Sequence, residues 1–174
     1  MNRAKEERIG FKVYKELLGE FKDLLLEKLS TNLTSIILYG SVARVQANKQ
    51  SDIDLLIILK EAPQAYYKRL QPILEVREGL SGRSSYRKFE RDGLYPYLSF
   101  LILTEEESNE NRYIFLDMID SSIILFDRAD FFKKRLDEIK VRLRELGAKR
   151  VLLEDGSWYW DLKPDLVPGE VFEL

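Results

Sequence analysis

The feature that most constrains the fold is the segment from Ile53 to Leu59, which reads IDLLIIL. After Asp54 every residue is apolar, so neither face of a strand formed here would favour contact with water. A strand of this kind lies inside a sheet that other layers cover on both sides. We therefore expect this segment to be a central strand rather than an edge strand.

Apolar segments and amphipathic patterns alternate along the rest of the chain. Short runs of β-branched and aromatic residues predict further strands at 34–39, 97–103 and 122–126. Apolar periodicity, capping residues and proline positions predict helices at 5–29, 42–47, 63–80, 104–119 and 132–146. This mixture indicates an α/β (α+β) fold, with a mixed β-sheet and helices packed on it. No repeat or linker divides the sequence, so we expect a single domain over residues 1–174.

The composition excludes several kinds of active site. The chain has no cysteine and no histidine, which removes thiol nucleophiles, histidine bases and metal sites built on either residue. Acid–base and metal chemistry must rely on other groups, and carboxylate sites favour hard cations such as Mg²⁺, Mn²⁺ or Ca²⁺. With 28 basic and 30 acidic residues the net charge is -2, which argues against nucleic-acid binding by the surface as a whole.

We expect a cytoplasmic protein that does not enter a membrane. The first residues, MNRAKEERIG, are charged and lack the apolar centre of a signal peptide. No apolar run approaches the roughly 20 residues that a membrane-spanning helix needs.

A Gly-Ser pair follows the first predicted strand. Gly40 would let the chain turn tightly and approach a ligand, and Ser41 could cap the next helix or donate to a phosphate oxygen. Backbone N–H groups at the start of that helix would also attract an anion. On its own, such a pair is usually no more than a turn between a strand and a helix.

Two aspartates stand at the start of the central strand. Residues i and i+2 of a strand point to the same side, so Asp52 and Asp54 would converge on one patch. Two bare carboxylates so close together repel each other, whereas a divalent cation between them reverses the repulsion. We interpret the pair as a metal clamp. The alternative for an isolated pair is a turn followed by a solvated strand end.

The combination GSVAR, then six residues, then SDIDL resembles the signature of the DNA polymerase β-like nucleotidyltransferase superfamily. Within that superfamily it is most similar to the minimal nucleotidyltransferases. The order of predicted elements over about residues 30–126 also suits that fold, and a C-terminal helix and tail would occupy residues 127–174. The resemblance implies a mixed sheet with helices packed on one face.

The same resemblance implies roles for individual residues. Gly40 and Ser41 would hold the phosphates of a nucleotide. Asp52 and Asp54 would be catalytic and would ligate Mg²⁺, with Mn²⁺ as an alternative, while a hydroxyl attacks the α-phosphate and pyrophosphate leaves. Arg44, one turn into the short helix, could also reach a phosphate, or it could form a surface ion pair.

Two departures from the family pattern matter. Family members often have glycine after the arginine of the motif, where this chain has Val45. The family's third carboxylate lies on a later strand, and the matching position here is Ser99, which cannot act as a base or a charged metal ligand at neutral pH. Another acid could take its place, with Glu90, Asp92 and Glu105 near in sequence, or the alignment could be off. Otherwise the protein binds a nucleotide and transfers its nucleoside monophosphate poorly or not at all.

Two further segments invite more than one interpretation. Residues 81–93 (SGRSSYRKFERDG) are predicted to form a mobile loop that is solvated or that contacts RNA, a nucleotide base or a partner. In the tail, a hairpin with an Asp155-Gly156 turn would bury Trp158 and Trp160 on one face and leave Tyr159 on the other. Stacking on a base or an acceptor is the alternative for these aromatic side chains.

The function predicted from the sequence is Mg²⁺-dependent transfer of a nucleoside monophosphate from a nucleoside triphosphate, ATP in the first place, to a hydroxyl group. By resemblance, the acceptor could be a protein such as a HEPN-type toxin, and the near-neutral net charge disfavours RNA. The alternative is a weak or inactive module of the same fold that binds a nucleotide or a partner. A third reading is a structural domain that binds a metal ion without preferring nucleotides.

Overall fold

The computed structural model describes residues 8–154 and 157–174, and a four-stranded sheet forms its centre. The strands are β1 (Leu33–Tyr39), β2 (Ile53–Leu59), β3 (Leu98–Thr104) and β4 (Ile123–Asp127), arranged in the order β3-β2-β1-β4. β1 is antiparallel to β2 and β4, whereas β2 and β3 are parallel. The predicted mixed sheet is therefore confirmed, with IDLLIIL as an inner strand.

Helices surround this sheet, and a second, two-stranded sheet lies near the C-terminus. The helices are α1 (Phe11–Leu29), α2 (Gly40–Ala43), α3 (Tyr66–Ser81), α4 (Ser84–Arg91), α5 (Glu105–Asn109), α6 (Ile114–Met118) and α7 (Phe131–Glu145). The second sheet pairs β5 (Lys149–Leu152) with β6 (Trp158–Asp161) in antiparallel register. Among the described residues, no helix has the length and apolar character that crossing a membrane requires.

The alternation of side chains gives the central sheet two buried faces. Leu55 and Ile57 point to one face, where apolar residues of α1, α3 and α4 cover them. Leu56 and Ile58 point to the other face, which α6 and α7 cover. All four side chains are fully buried. The expectation of helices on one face is therefore wrong, because helices cover both faces. This double covering explains why β2 lacks the polar alternation of a strand with one wet face.

The prediction of a mobile loop at 81–93 is wrong, because most of this segment forms α4. The ring of Phe89 packs against that of Tyr14 in α1, with centroids 5.2 Å apart. Ser85 is buried, and its hydroxyl donates a hydrogen bond of 2.6 Å to the carboxylate of Glu20 in α1. These contacts with a segment distant in sequence stabilise a short helix whose other side chains are mostly polar.

The prediction of one helix over 104–119 is also wrong, because the segment divides into α5 and α6. Thr104 does begin α5, since its Oγ1 accepts a hydrogen bond from the Glu107 backbone N–H at 3.1 Å. The Glu107 carboxylate accepts in turn from the Thr104 N–H at 2.9 Å, completing a capping box. The chain leaves helical geometry at Glu110, where ψ is 150°.

The first helix begins later than predicted. Gly10 is extended, with φ -138° and ψ -178°, and α1 starts after it. Ahead of it, the backbone N–H of Ile9 donates to the carbonyl of Ala47 at 2.8 Å and forms an isolated bridge. Residues 5–7 of the predicted helix lie outside the described residues.

An ion pair between a buried arginine and a partly buried glutamate joins α3 to α5. Arg69 is only 8% exposed, and its Nη1 lies 2.6 Å from a carboxylate oxygen of Glu107. The Nε of Arg69 also donates a hydrogen bond to the carbonyl of Pro63. This proline lies before α3, which begins at Tyr66, and not in the first turn of the helix as predicted. The hydrogen bond from Arg69 holds the pKa of Glu107 below its usual value, against the opposing effect of burial.

The aromatic tail packs as the sequence predicts. Trp158 and Trp160 are half-buried, whereas Tyr159 between them is 50% exposed. Trp160 contacts the apolar cluster that α7 covers, and the guanidinium of Arg150 lies 4.0 Å from the ring centroid of Trp158. The predicted turn at residues 155–156 lies outside the described residues.

Candidate active site

β1 and β2 bring the predicted glycine and aspartates together at one end of the sheet. Antiparallel pairing places Tyr39 opposite Asp54, so Gly40 follows β1 directly beside that carboxylate. Gly40 has a φ of +72°, which side chains of L-residues disfavour. A Cβ atom there would collide with Asp54 Oδ2 and would lie 3.1 Å from Asp54 Cγ. The backbone angle and the approach of the carboxylate therefore both require glycine.

The two aspartates differ in their surroundings. Asp52 is exposed, whereas Asp54 is partly buried. Burial raises the pKa of Asp54, and the negative charge of Asp52 raises it further. Arg44 and a hydrogen bond from Ser99 act in the opposite direction. The carboxylates of Asp52 and Asp54 therefore interact with each other, and a nearby cation would stabilise both in their charged form.

The turn after β1 ends in a strained residue. α2 is one turn long, and with bounds at Gly40 and Ala43 it begins and ends earlier than the predicted helix at 42–47. The Gln46 N–H donates to the Ser41 carbonyl at 2.9 Å, and the Val45 N–H donates to the Val42 carbonyl at 3.3 Å. This pair of hydrogen bonds forms a Schellman motif, which usually has glycine at its left-handed position. Val45 occupies that position with a φ of +57°, so its branched side chain costs conformational energy.

Arg44 is the cation that this turn places near the aspartates. Its charge lowers the pKa of Asp54, and its Nε donates to the side-chain oxygen of Gln46 at 3.3 Å. Because α2 has only four residues, a helix dipole would add little to anion binding. A phosphate here would depend on backbone N–H groups around Gly40 and Ser41 and on the Arg44 guanidinium.

Ser99 is the residue that the sequence analysis matches to the third carboxylate of the family pattern. Parallel pairing of β2 and β3 makes Ser99 the register partner of Asp54, and its hydroxyl donates a hydrogen bond to that carboxylate. Ser99 therefore orients Asp54 without adding negative charge. Across residues 8–154 and 157–174, no group of three or more acidic side chains could together hold a metal ion.

The acidic residues considered as replacements for the third carboxylate lie in other parts of the fold. Glu105 accepts a hydrogen bond of 2.6 Å from the hydroxyl of Thr34, near the opposite end of β1. Glu90 is an exposed residue of α4, and Asp92 follows that helix. In the part of the chain that the structure describes, a third carboxylate therefore does not join Asp52 and Asp54.

The structure adds Tyr39 to the site, a residue that the sequence analysis did not predict there. Burial raises the pKa of Tyr39 to about 12, and the charge of Asp54, followed by Tyr66 and Asp117, raises it as well. The charges of Asp54 at β2 and Asp117 in α6 therefore both disfavour ionisation of Tyr39. The place of Tyr39 directly before Gly40 could have indicated a role in the site. Asp117 has no such sequence signal, because its short helix was predicted as part of a longer one.

A model of the nucleotidyltransferase domain family matches residues 15–164 of the chain. The chain belongs to this family. The match includes Gly40, Ser41, Arg44 and both aspartates, and it extends through α7 into the second sheet. Membership of the minimal nucleotidyltransferase type, predicted from the motif, is confirmed.

Two proteins of Methanocaldococcus jannaschii, both named as candidate protein adenylyltransferases, are similar to this nucleotidyltransferase domain. MJ1305 is 28% identical over 140 residues, covering 78% of this chain and 86% of that protein. MJ0141 is 38% identical over 61 residues, covering 35% of this chain and 60% of that protein. Among solved structures, spectinomycin adenyltransferase AAD(9) from Enterococcus faecialis has a TM-score of 0.51 and 14% identity. The match covers 76% of this chain and 66% of AAD(9), and it supports the fold alone.

The site fits a divalent metal ion of the kind that nucleotidyltransferases generally use. Asp52 and Asp54 supply two oxygen donors on one side of β2, which is the donor type that hard cations prefer. The raised pKa of Asp54 indicates a charge that lacks full compensation within the protein. A metal ion held here would supply charge neutralisation for a bound triphosphate.

Proposed function

We propose that this nucleotidyltransferase domain transfers the nucleoside monophosphate of a Mg²⁺-bound nucleoside triphosphate to a hydroxyl group of a protein acceptor. ATP is the donor to test first, and Mn²⁺ could replace Mg²⁺. The observation that carries the proposal is the close approach of Gly40 to the carboxylate of Asp54. Backbone that can approach phosphates thereby lies directly beside the carboxylates that can hold a cation.

Each residue of the site has a separate role in the proposed reaction. Asp52 and Asp54 would hold the cation, and Ser99 would keep the Asp54 carboxylate oriented through its hydrogen bond. The turn at Gly40 and Ser41 would bind the two phosphates that leave. The acceptor oxygen forms a bond to the α-phosphorus, the bond from that phosphorus to the bridging oxygen breaks, and pyrophosphate departs. The acceptor's proton passes to solvent, because serine cannot take it.

A protein acceptor is supported by the names of two relatives, which describe candidate protein adenylyltransferases. The net charge of -2 disfavours RNA as an acceptor, because binding a polyanion requires positive charge. A HEPN-type toxin, expected from the resemblance of the motif, remains one acceptor to test within this proposal.

Ser99 favours a second candidate function, a module that binds Mg²⁺ and ATP without efficient transfer. General-base catalysis by a positioned group contributes about 10²–10⁴ in rate. A site without the third carboxylate would lose that contribution unless the acceptor ionises readily by itself.

Calorimetric titration with ATP, with and without Mg²⁺, tests the shared site. We expect Mg²⁺-dependent binding that disappears in the double variant Asp52→Asn/Asp54→Asn. The matched control is Asp23→Asn/Asp137→Asn, which removes two acidic charges from the exposed surfaces of α1 and α7 and should bind as the wild type does. Equal binding by both double variants would contradict the proposal.

Transfer is then tested by following label from α-labelled ATP into proteins of a cell extract. Ser99→Asp restores a carboxylate beside Asp54, and Ser99→Asn is the uncharged control of similar size. Measurable labelling by the wild type supports the transferase. Labelling by Ser99→Asp alone would identify the binding module, and labelling by neither, despite Mg²⁺-dependent ATP binding, would reject transfer.

A further inference from the structure

Val45 combines a strained backbone with an exposed side chain. Its φ of +57° is one that a β-branched residue rarely adopts. The residue is 54% exposed, so burial in the core gives little compensation for the strain. Strain of this kind persists only where the surrounding structure fixes it, and it is concentrated at functional sites. The conformation of Val45 therefore requires a structural cause, and its position in the turn after β1 indicates a role in the candidate active site.

The segment before α1 holds Val45 in this conformation. A Cβ atom on Gly10 would lie 3.1 Å from both methyl carbons of Val45, so the valine side chain lies against the backbone of Gly10. Beside this contact, the N–H of Ile9 donates to the carbonyl of Ala47 at 2.8 Å. Ile9 and Ala47 are both buried in the apolar cluster that includes residues of α1. These two anchors, one next to Gly10 and one shortly after Val45, keep the turn and the segment in contact.

The left-handed conformation of Val45 orients the peptide groups at the start of the turn. It reverses the chain, so that the N–H of Gln46 donates to the carbonyl of Ser41 at 2.9 Å. Because a peptide unit is planar and trans, its N–H points away from its C=O. The hydrogen bond to the Ser41 carbonyl therefore also fixes the direction of the Val42 N–H. N–H groups in the first turn of a helix have no partner within that helix, so this group can donate to a phosphate bound at Gly40.

We propose that Val45 is a positioning residue for nucleotide binding. Its contact with Gly10 keeps the N–H groups of Ser41 and Val42 directed at the phosphates. The inference rests on the proposed function, in which the turn after β1 binds the phosphates that leave. Glycine in place of Val45 would adopt the left-handed conformation without strain, but it would also adopt many others. Valine held against Gly10 has fewer conformations, so the turn is ordered before the nucleotide arrives and binding loses less entropy.

Val45→Gly removes the strain and the contact with Gly10 together. The probes for titration calorimetry are Mg²⁺–ATP and Mg²⁺–pyrophosphate, which has no base and reports the phosphate contacts alone. We expect both affinities to fall about tenfold, which corresponds to a turn that is correctly arranged about one-tenth of the time. Tm should stay the same or rise, because the strain is relieved. A residue with a purely structural role would instead lower Tm and affinity together.

The matched control relieves the same kind of strain elsewhere in the fold. Ala129 has a φ of +54° and follows β4, whose last residue, Asp127, pairs with Ser35 near the start of β1. Gly40 follows the other end of β1. Ala129→Gly should therefore bind both probes as the wild type does. Val45→Ile keeps both branches of the side chain and should lose less affinity than Val45→Gly.

Gly10→Ala tests whether the segment before α1 acts through Val45. The added Cβ atom needs space that the valine methyl carbons occupy. We expect weaker Mg²⁺–ATP binding and faster hydrogen exchange at the amide of Gln46. In the Val45→Gly background the same substitution should change neither quantity, because the contact through which it acts has already been removed. Equal effects of Gly10→Ala in both backgrounds would overturn the proposal.

The outcomes separate this inference from the proposed function. Wild-type affinity in Val45→Gly, a loss of affinity accompanied by a lower Tm, or an equal loss in Ala129→Gly would overturn the role of Val45 and leave the proposed function intact. Failure of the wild type to bind Mg²⁺–ATP would reject the proposed function and this inference with it. Binding as expected without transfer to any acceptor would reject the transferase while supporting the role of Val45.

Discussion

Replacing Gly40 by alanine separates the two reasons for glycine at this position. Alanine in the left-handed region destabilises the folded state by about 1–2 kcal/mol. It also reduces the conformational entropy of the unfolded chain, which offsets about 0.4–1 kcal/mol of that loss. Gly147 has nearly the same backbone angle, with a φ of +66° and nothing within 4 Å of an added Cβ. Gly147→Ala should therefore lose about 1 kcal/mol, which lowers Tm by about 2–4 °C for a chain of this size.

Gly40→Ala should lose more than this, because its Cβ must also displace the Asp54 carboxylate. The added atom would lie 3.1 Å from Asp54 Cγ and 3.3 Å from Asp54 Cβ. The carboxylate must therefore rotate away, and the backbone must shift slightly to relieve the contact with Cβ. We expect Mg²⁺-dependent ATP binding to disappear in Gly40→Ala and to persist in Gly147→Ala. Differential scanning calorimetry gives both Tm values, and titration calorimetry gives the affinities. Wild-type affinity in Gly40→Ala would refute the claim that the glycine and the carboxylate form one site.

Two other substitutions test the electrostatics. Glu107→Gln should lower the free energy of unfolding by about 2–3 kcal/mol at pH 7, because Arg69 keeps a buried charge without its partner. Because the pKa of Glu107 is lowered, its contribution to the free energy of unfolding is fully present above the ordinary pKa of a glutamate. That contribution is lost as the pH falls through the lowered pKa. Urea unfolding at pH 3 should therefore show a smaller difference in stability between the wild type and Glu107→Gln than at pH 7. Asp54→Asn should raise the Tm of the ligand-free protein at pH 7 by about 1–4 °C, because ionising a carboxyl with a raised pKa costs stability. A lower Tm for Asp54→Asn would show that Arg44 and Ser99 outweigh burial and the charge of Asp52.

The parts of the fold that could be predicted are those that local sequence determines. The strand at Ile53–Leu59 was predictable because covering layers on both faces leave a continuous apolar run. Asp52 and Asp54 were predictable as a pair because the two-residue period of a strand places them on one side. Gly40 was predictable as a turn, but its contact with Asp54 required the register between β1 and β2.

The features that could not be predicted depend on contacts distant in sequence. α4 looks like a polar loop because its stabilising partners, Tyr14 and Glu20, belong to α1. The pairing of Ser99 with Asp54 spans a connection of many residues, so only the resemblance to the family, and no local pattern, pointed to Ser99. The break between α5 and α6 was missed because Thr104 and the acids after it start a helix without indicating where it ends.

The burial of the inner strands has a consequence for motion. β1 and β2 are covered on both faces, and Leu55 to Ile58 are fully buried. Their amide hydrogens should exchange with solvent only when the whole domain unfolds, whereas α4 buries only Ser85 and Phe89 and should open at a lower free energy. The carboxylates and the glycine turn are thus attached to the most rigid part of the molecule, and α4 can adjust its position without loosening them.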